Sequence, residues 1–150
     1  MKPNSVEFFN KNKYQLPQGI DAPIVVACYL KTPQNYGNLI RLADTVGCSK
    51  VVFITNGVEV SDQKIRKTAG DSFLRMKTEY IVEAQLKDTI PEKYRWIALE
   101  TAESSHNIFK TDLPSNMALF VGNEKGGISP ELLARCHQIV HIPMTGNCTC

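Results

Sequence analysis

At 150 residues, 43% of them hydrophobic and 21% charged, the chain has the size and make-up of one globular domain, with about two thirds of its unfolded surface to be buried. No apolar run reaches the length of a membrane span, and Met1 to Glu7 lacks the apolar core of a signal peptide, so a cytoplasmic protein is expected. A formal net charge of +2, from 17 basic and 15 acidic residues, neither requires nor excludes a nucleic-acid partner; clustering has to decide that.

Residues 1–22 are polar and broken by Pro3, Pro17 and Gly19, and read as an N-terminal arm with at most a short helix near Val6, Phe8 and Phe9. Ile24 to Leu30 is a continuous apolar run, the mark of a strand covered on both faces. From Tyr36 to Val46 the apolar residues Leu39, Ile40, Leu42, Ala43 and Val46 recur at helical spacing, and Gly47 supplies the stop. Lys50 to Thr55 is the next buried strand, closing a β-α-β unit. Ser61 can cap a helix to about Ala69. The cations Lys64, Arg66, Lys67, Arg75 and Lys77 make this the densest basic segment, a solvated face or an RNA contact. A strand is expected within 73–82, a helix over Glu83 to Ile90, a strand over Arg95 to Glu100 and a polar loop through Asn116.

Met117 to Val121 is a short strand feeding the glycine loop Gly122-Asn123-Glu124-Lys125-Gly126-Gly127. Ser129, Pro130 and Glu131 then give an N-cap, a proline at the first helical position and an acidic first turn. The helix is expected to run to Cys136, before a last strand over Gln138 to Ile142. The glycine loop is neither a P-loop, since no Gly-Lys-Ser/Thr follows, nor the Gly-x-Gly-x-x-Gly dinucleotide pattern. Alternation of strands and helices predicts a mostly parallel, doubly wound α/β sheet. Its carboxyl edge would collect the loop bearing Asn35 to Arg41 and the loop bearing Glu124. Taken alone, Arg41 reads as a surface residue on a helix, and the glycine loop as structural or ligand-binding alike.

Cys28, Cys48, Cys136, Cys148 and Cys150 are too few and too irregular for a disulfide framework, and reduced thiols are expected. Cys136, His137, His141, Cys148 and Cys150 do not have the spacing of a zinc ribbon or finger, and no metal is expected.

Asn35-Tyr36-Gly37-Asn38-Leu39-Ile40-Arg41, Phe120-Val121-Gly122-Asn123-Glu124-Lys125-Gly126-Gly127-Ile128 and Ile142-Pro143-Met144-Thr145-Gly146 together resemble, in order and spacing, the three motifs of the SpoU/TrmH family of SPOUT-class RNA methyltransferases. The resemblance runs from about Ile24 to Cys150 and implies an arm over 1–22 and a methyltransferase domain over 23–150. It further implies a C-terminal trefoil knot, a homodimer, and S-adenosylmethionine (AdoMet) as donor for methylation of a ribose 2′-hydroxyl in tRNA or rRNA. By the same resemblance Asn35, Arg41 and Glu124 take the catalytic positions, with Asn35 and Glu124 directing the Arg41 guanidinium. Leu99, Gly122, Ile142, Met144 and Cys150 fall where the cofactor is lined. Family members continue past the third motif, whereas this sequence ends at Cys150 in the position of a serine, so a C-terminally truncated domain with an incomplete knot-forming segment is expected. The alternative is a non-catalytic RNA-binding module that has lost the cofactor, and a weaker one a small nucleotide-binding domain without RNA.

Overall fold

The computed structural model describes residues 4–57 and 60–146. Its centre is a seven-stranded sheet in the order β3-β2-β1-β6-β4-β7-β5, with every neighbouring pair parallel. In chain order the strands are β1 (Ile24–Cys28), β2 (Lys50–Ile54), β3 (Thr78–Ile81), β4 (Arg95–Leu99), β5 (His106–Asn107), β6 (Met117–Val121) and β7 (Gln138–His141). The helices are α1 (Ser5–Lys11), α2 (Pro33–Val46), α3 (Asp62–Ala69), α4 (Ser72–Arg75), α5 (Leu86–Thr89) and α6 (Pro130–Leu133).

Two-residue periodicity divides the core between the faces of this sheet. Val25 and Ala27 of β1 and Val51 and Phe53 of β2 point to the face covered by Tyr36, Ile40 and Ala43 of α2 and Ile65 and Ala69 of α3. Ile24, Val26, Cys28, Val52 and Ile54 point the other way, toward Trp96, Phe120, Leu86, Ile90 and Leu132. Each fully buried side chain, such as Ile40 on one face or Phe120 on the other, contributes about 1.5–3 kcal/mol relative to exposure, so both faces are held.

The helix expected from Tyr36 begins earlier. The Thr32 hydroxyl accepts the Asn35 N–H and Pro33 occupies the first helical position, so the Thr-Pro pair opens α2 instead of merely ending β1. Gly47, at φ 78°, closes it in the left-handed conformation. The arm does hold a short helix, α1, with no buried residue. Between 73 and 82 only Thr78–Ile81 is strand; Ser72–Arg75 is a turn of helix, because Ser72 is buried with its hydroxyl on Asp44 of α2. The stretch expected as one helix over Glu83 to Ile90 is a 3₁₀ turn (Glu83–Gln85) followed by α5. Helix α6 stops at Leu133 and not Cys136. Beyond it the His137 N–H bonds to the Trp96 carbonyl and the Trp96 N–H to His137 Nδ1, drawing the chain onto the start of β4. The loop before Asn116 contains the two-residue strand β5.

Candidate active site

Register brings four strand ends into one row. Ala27 lies beside Val121, Val121 beside Leu99, and Leu99 beside Val140. The segments that follow β1, β6, β4 and β7 therefore leave the carboxyl edge as neighbours, where open α/β sheets take their ligands.

The segment after β1 turns at Tyr29, which alone among the described non-glycine residues has a positive φ, 54°. It is held there by its N–H on the Ile54 carbonyl at 3.0 Å and its hydroxyl on Glu83 at 2.9 Å. Burial first, then the bond to Glu83, push the Tyr29 phenol up to about 12, so it stays a donor. Glu83 in turn accepts from Arg135 at 3.0 Å. The turn aims the Lys31 N–H at Glu124 Oε2, 3.1 Å away, and Asn35 Nδ2 donates to Glu124 Oε1.

The segment after β6 is a tight loop. Asn123 N–H bonds to Gly127 O at 3.3 Å and Gly127 N–H to Asn123 O at 3.1 Å, while Asn123 Oδ1 accepts the N–H groups of Lys125 and Gly126. Two glycines are required. A Cβ on Gly122 would meet the Gly127 carbonyl carbon at 2.4 Å, and Gly127 has φ +63° with its Cβ position against Glu100 Oε2 at 2.3 Å. Ser129 Oγ accepts from the Leu132 N–H and opens α6.

Glu124 is where the two segments meet. Glu124 is exposed; the desolvation it does feel works to raise its pKa, but hydrogen bonds from its own N–H, the Asn35 amide and the Lys31 and Thr32 N–H groups outweigh that, and the carboxyl sits below its ordinary value. A cleft of about 310 Å³ opens beside it, lined by Leu30, Asn35, Leu39, Leu42, Gly122 and Glu124 among others. A slightly larger recess, about 350 Å³, lies at the opposite edge around Arg95, Asp112 and His137, away from these convergent polar groups.

Arg41 projects from the same helix as Asn35, one position before the cleft-lining Leu42; its side chain is exposed and makes no hydrogen bond or ion pair among the described residues. Asn35 and Glu124 bond to each other, Glu124 also to the Lys31 N–H, and among the described residues neither bonds to the Arg41 guanidinium.

Leu99 ends β4, Gly122 follows the last residue of β6, and the apolar Ile142 and Met144 follow β7 with 52% and 53% of their surface exposed. Cys150 and Cys148 lie outside the described residues, as does the end of the segment on which the expected knot depends. Among the described residues no group of His, Cys, Asp and Glu has the arrangement of a metal site. Cys28, Cys48 and Cys136 are free thiols; burial pushes Cys28 up to about 12 and Cys136 up to about 11, so neither is a thiolate. In the basic segment all five cations are exposed; Arg75 pairs with Asp44, Lys77 with Glu79 and Arg66 lies over the Phe73 ring, while Lys64 and Lys67 have no such partner among the described residues.

Sequence reasoning missed Glu100, which stood only as the last residue of a strand. Its Oε2 accepts the Ile128 N–H and its Oε1 the Thr101 N–H, both at 2.9 Å. The sequence offered only a carboxylate at the end of a strand as a signal.

Fold and site thus define a parallel α/β domain whose ligand face is built from a polar helix start and a glycine loop joined through one carboxylate. Residues 22–150 match the model of the SpoU rRNA Methylase family, and the chain belongs to it. Among relatives, it is 25% identical over 118 residues to the 23S rRNA (guanosine-2′-O-)-methyltransferase RlmB of Salmonella typhi, covering 77% of this chain and 48% of that protein. It is 25% identical over 114 residues to the tRNA (guanosine(18)-2′-O)-methyltransferase of Escherichia coli K12, covering 76% and 50%. It therefore spans about half the length of these relatives. In fold it is similar to the SpoU methyltransferase AviRb from Streptomyces viridochromogenes in complex with AdoMet, with TM-score 0.78 and 21% identity over 89% of this chain and 53% of that one. The A. aeolicus TrmH/SpoU tRNA modifying enzyme gives 0.71 and 22% over 84% and 64%.

Proposed function

We propose that this chain is the methyl-transferring domain of a cytoplasmic RNA ribose 2′-O-methyltransferase that uses AdoMet and works as a homodimer on tRNA or rRNA. The observation that carries the reading is the junction at Glu124, where the helix bearing Asn35 and Arg41 meets the glycine loop. Family membership and relatives that methylate guanosine 2′-oxygens support it.

The residues at the carboxyl edge suit AdoMet. Strand-end backbone at Leu99, Gly122 and Ile142 can meet adenine and the amino-acid end, and exposed Ile142 and Met144 can cover apolar parts. When bound, AdoMet supplies an electrophilic methyl group on a sulfonium. A ribose hydroxyl is a weak nucleophile, so the chain must place it in line and ease the loss of its proton. Arg41 is a cation at neutral pH and serves as a clamp on an adjacent phosphate and on the charge growing at the ribose oxygen. Asn35 and Glu124 act on the geometry instead, locking α2 to the glycine loop so that acceptor and donor sides keep a fixed spacing.

Calorimetric titration with AdoMet, with sedimentation to establish the dimer, tests the reading. Saturable heat and methylation of unfractionated tRNA or ribosomal RNA are expected. Salt-sensitive RNA binding without any AdoMet heat would instead make the chain an RNA-binding module.

A further inference from the structure

Glu100 leaves β4 at the centre of the ligand edge, and four observations converge on it. Its own N–H is fixed to the Val140 carbonyl of β7 at 2.9 Å. Both of its carboxylate oxygens accept backbone N–H groups, Oε1 from Thr101 and Oε2 from Ile128, each at 2.9 Å. Oε2 also occupies the space that a Cβ on Gly127 would need. Gly127 in turn abuts Gly122, whose own Cβ position is 2.4 Å from the Gly127 carbonyl carbon. A chain of contacts thus runs from β7 through Glu100 to both legs of the glycine loop. No step of the proposed chemistry uses this carboxylate. It sits at an edge where a carboxylate normally stays in water, and it is engaged with backbone donors instead.

We infer that Glu100 is a positioning residue that pins the Gly122–Ile128 loop in its cofactor-receiving form, so that its loss weakens AdoMet binding while leaving RNA binding intact. The inference rests on the proposed reading of that loop as part of the AdoMet site. Glutamine suits the site poorly, since its amide oxygen can take only one of the two N–H groups and its NH₂ is left facing the other. Aspartate is one methylene short of spanning both.

The experiment compares wild type, Glu100→Gln and Glu100→Ala by calorimetry with AdoMet, by filter binding of unfractionated tRNA and by amide hydrogen exchange at Ile128. Loss of charge-assisted bonds to the loop is expected to raise the AdoMet Kd about tenfold or more in Glu100→Ala and by less in Glu100→Gln, with tRNA affinity within about twofold. Exchange at Ile128 should quicken in the same order. If Glu100→Ala does not fold, the Glu100→Gln comparison carries the test. Unchanged AdoMet affinity in a folded variant, or equal losses for AdoMet and tRNA, overturns the inference. If wild type gives no AdoMet heat, the functional reading fails and the cofactor part of this inference falls with it. The pinning itself is then decided by Ile128 exchange, which unchanged protection would refute.

Discussion

Gly37 lies inside α2, where alanine is the better helix former by about 1 kcal/mol, so propensity alone predicts that Gly37→Ala stabilises the protein. Packing predicts the opposite. A Cβ at this position would meet Thr68 Cβ at 2.6 Å, the Ile65 carbonyl oxygen at 2.8 Å and the Ala69 nitrogen at 3.0 Å. Two of the three are backbone atoms of α3 and the third is a Cβ fixed by it, so no flexible side chain can give way. The helices must move apart, and overpacking of this kind costs about 1–3 kcal/mol or occasionally more. With the upper part of that range set against the propensity gain, the net loss is roughly 2 kcal/mol, or about 4–8 °C in Tm for a chain of this length. Urea unfolding followed by circular dichroism measures it. A lower midpoint at unchanged m is expected; an equal or higher midpoint refutes the claim that α2 and α3 meet at backbone contact here.

The depressed carboxyl of Glu124 contributes stability that is present above the unfolded-state value of about 4.3 and is lost as pH falls through the lower folded value. Glu124→Gln should flatten that part of the stability curve, as seen in urea midpoints measured from neutral to acid pH, and an unchanged slope would contradict the assigned bonds. Tyr29→Phe removes one hydrogen bond to Glu83 and should lower stability by about 1 kcal/mol, measured by urea unfolding, with equal stability contradicting the anchoring of the first loop. Asp44 accepts from Arg75 at 2.8 Å and from the buried Ser72 hydroxyl at 2.7 Å, and bonding to Arg75, then to Ser72, holds its carboxyl below the ordinary value. Asp44→Ala should therefore destabilise by about 1–3 kcal/mol in thermal melts, because the buried Ser72 hydroxyl loses its acceptor and Arg75 its carboxylate.

The strands of the core were legible because β1, and β2 after Lys50, are apolar and buried on both faces, so their composition announced their place. The glycine loop was legible for a related reason, since Gly122 and Gly127 meet backbone or left-handed φ that only glycine satisfies. Helix boundaries were harder to read. Thr32-Pro33 carries the same cap-and-proline signal as Ser129-Pro130, yet only Lys31 separates it from the apolar run Ile24 to Leu30, and it reads equally well as the end of a strand. His106-Asn107 is a two-residue edge strand with no apolar alternation, so no periodicity exists to reveal it. The insertion of β6 between β1 and β4 is a long-range pairing that local patterns do not encode, and it is what puts Glu124 next to Asn35. The alternation of elements already placed Arg41 and Glu124 at the carboxyl edge, and their catalytic roles came from the resemblance. That Glu124 bonds to Asn35 and Lys31 and leaves Arg41 open, and that Glu100 supports the loop, depended on three-dimensional placement.

The most direct test of the central claim is a methyl-transfer assay with labelled AdoMet and unfractionated tRNA or ribosomal RNA, run for wild type and Arg41→Ala with AdoMet affinity measured in parallel. The account predicts label at a ribose 2′-oxygen with wild type, and loss of transfer in Arg41→Ala with AdoMet Kd within about twofold, because the proposed role of the arginine is on the acceptor and not on the cofactor. Full turnover by Arg41→Ala, with AdoMet still bound, would contradict it.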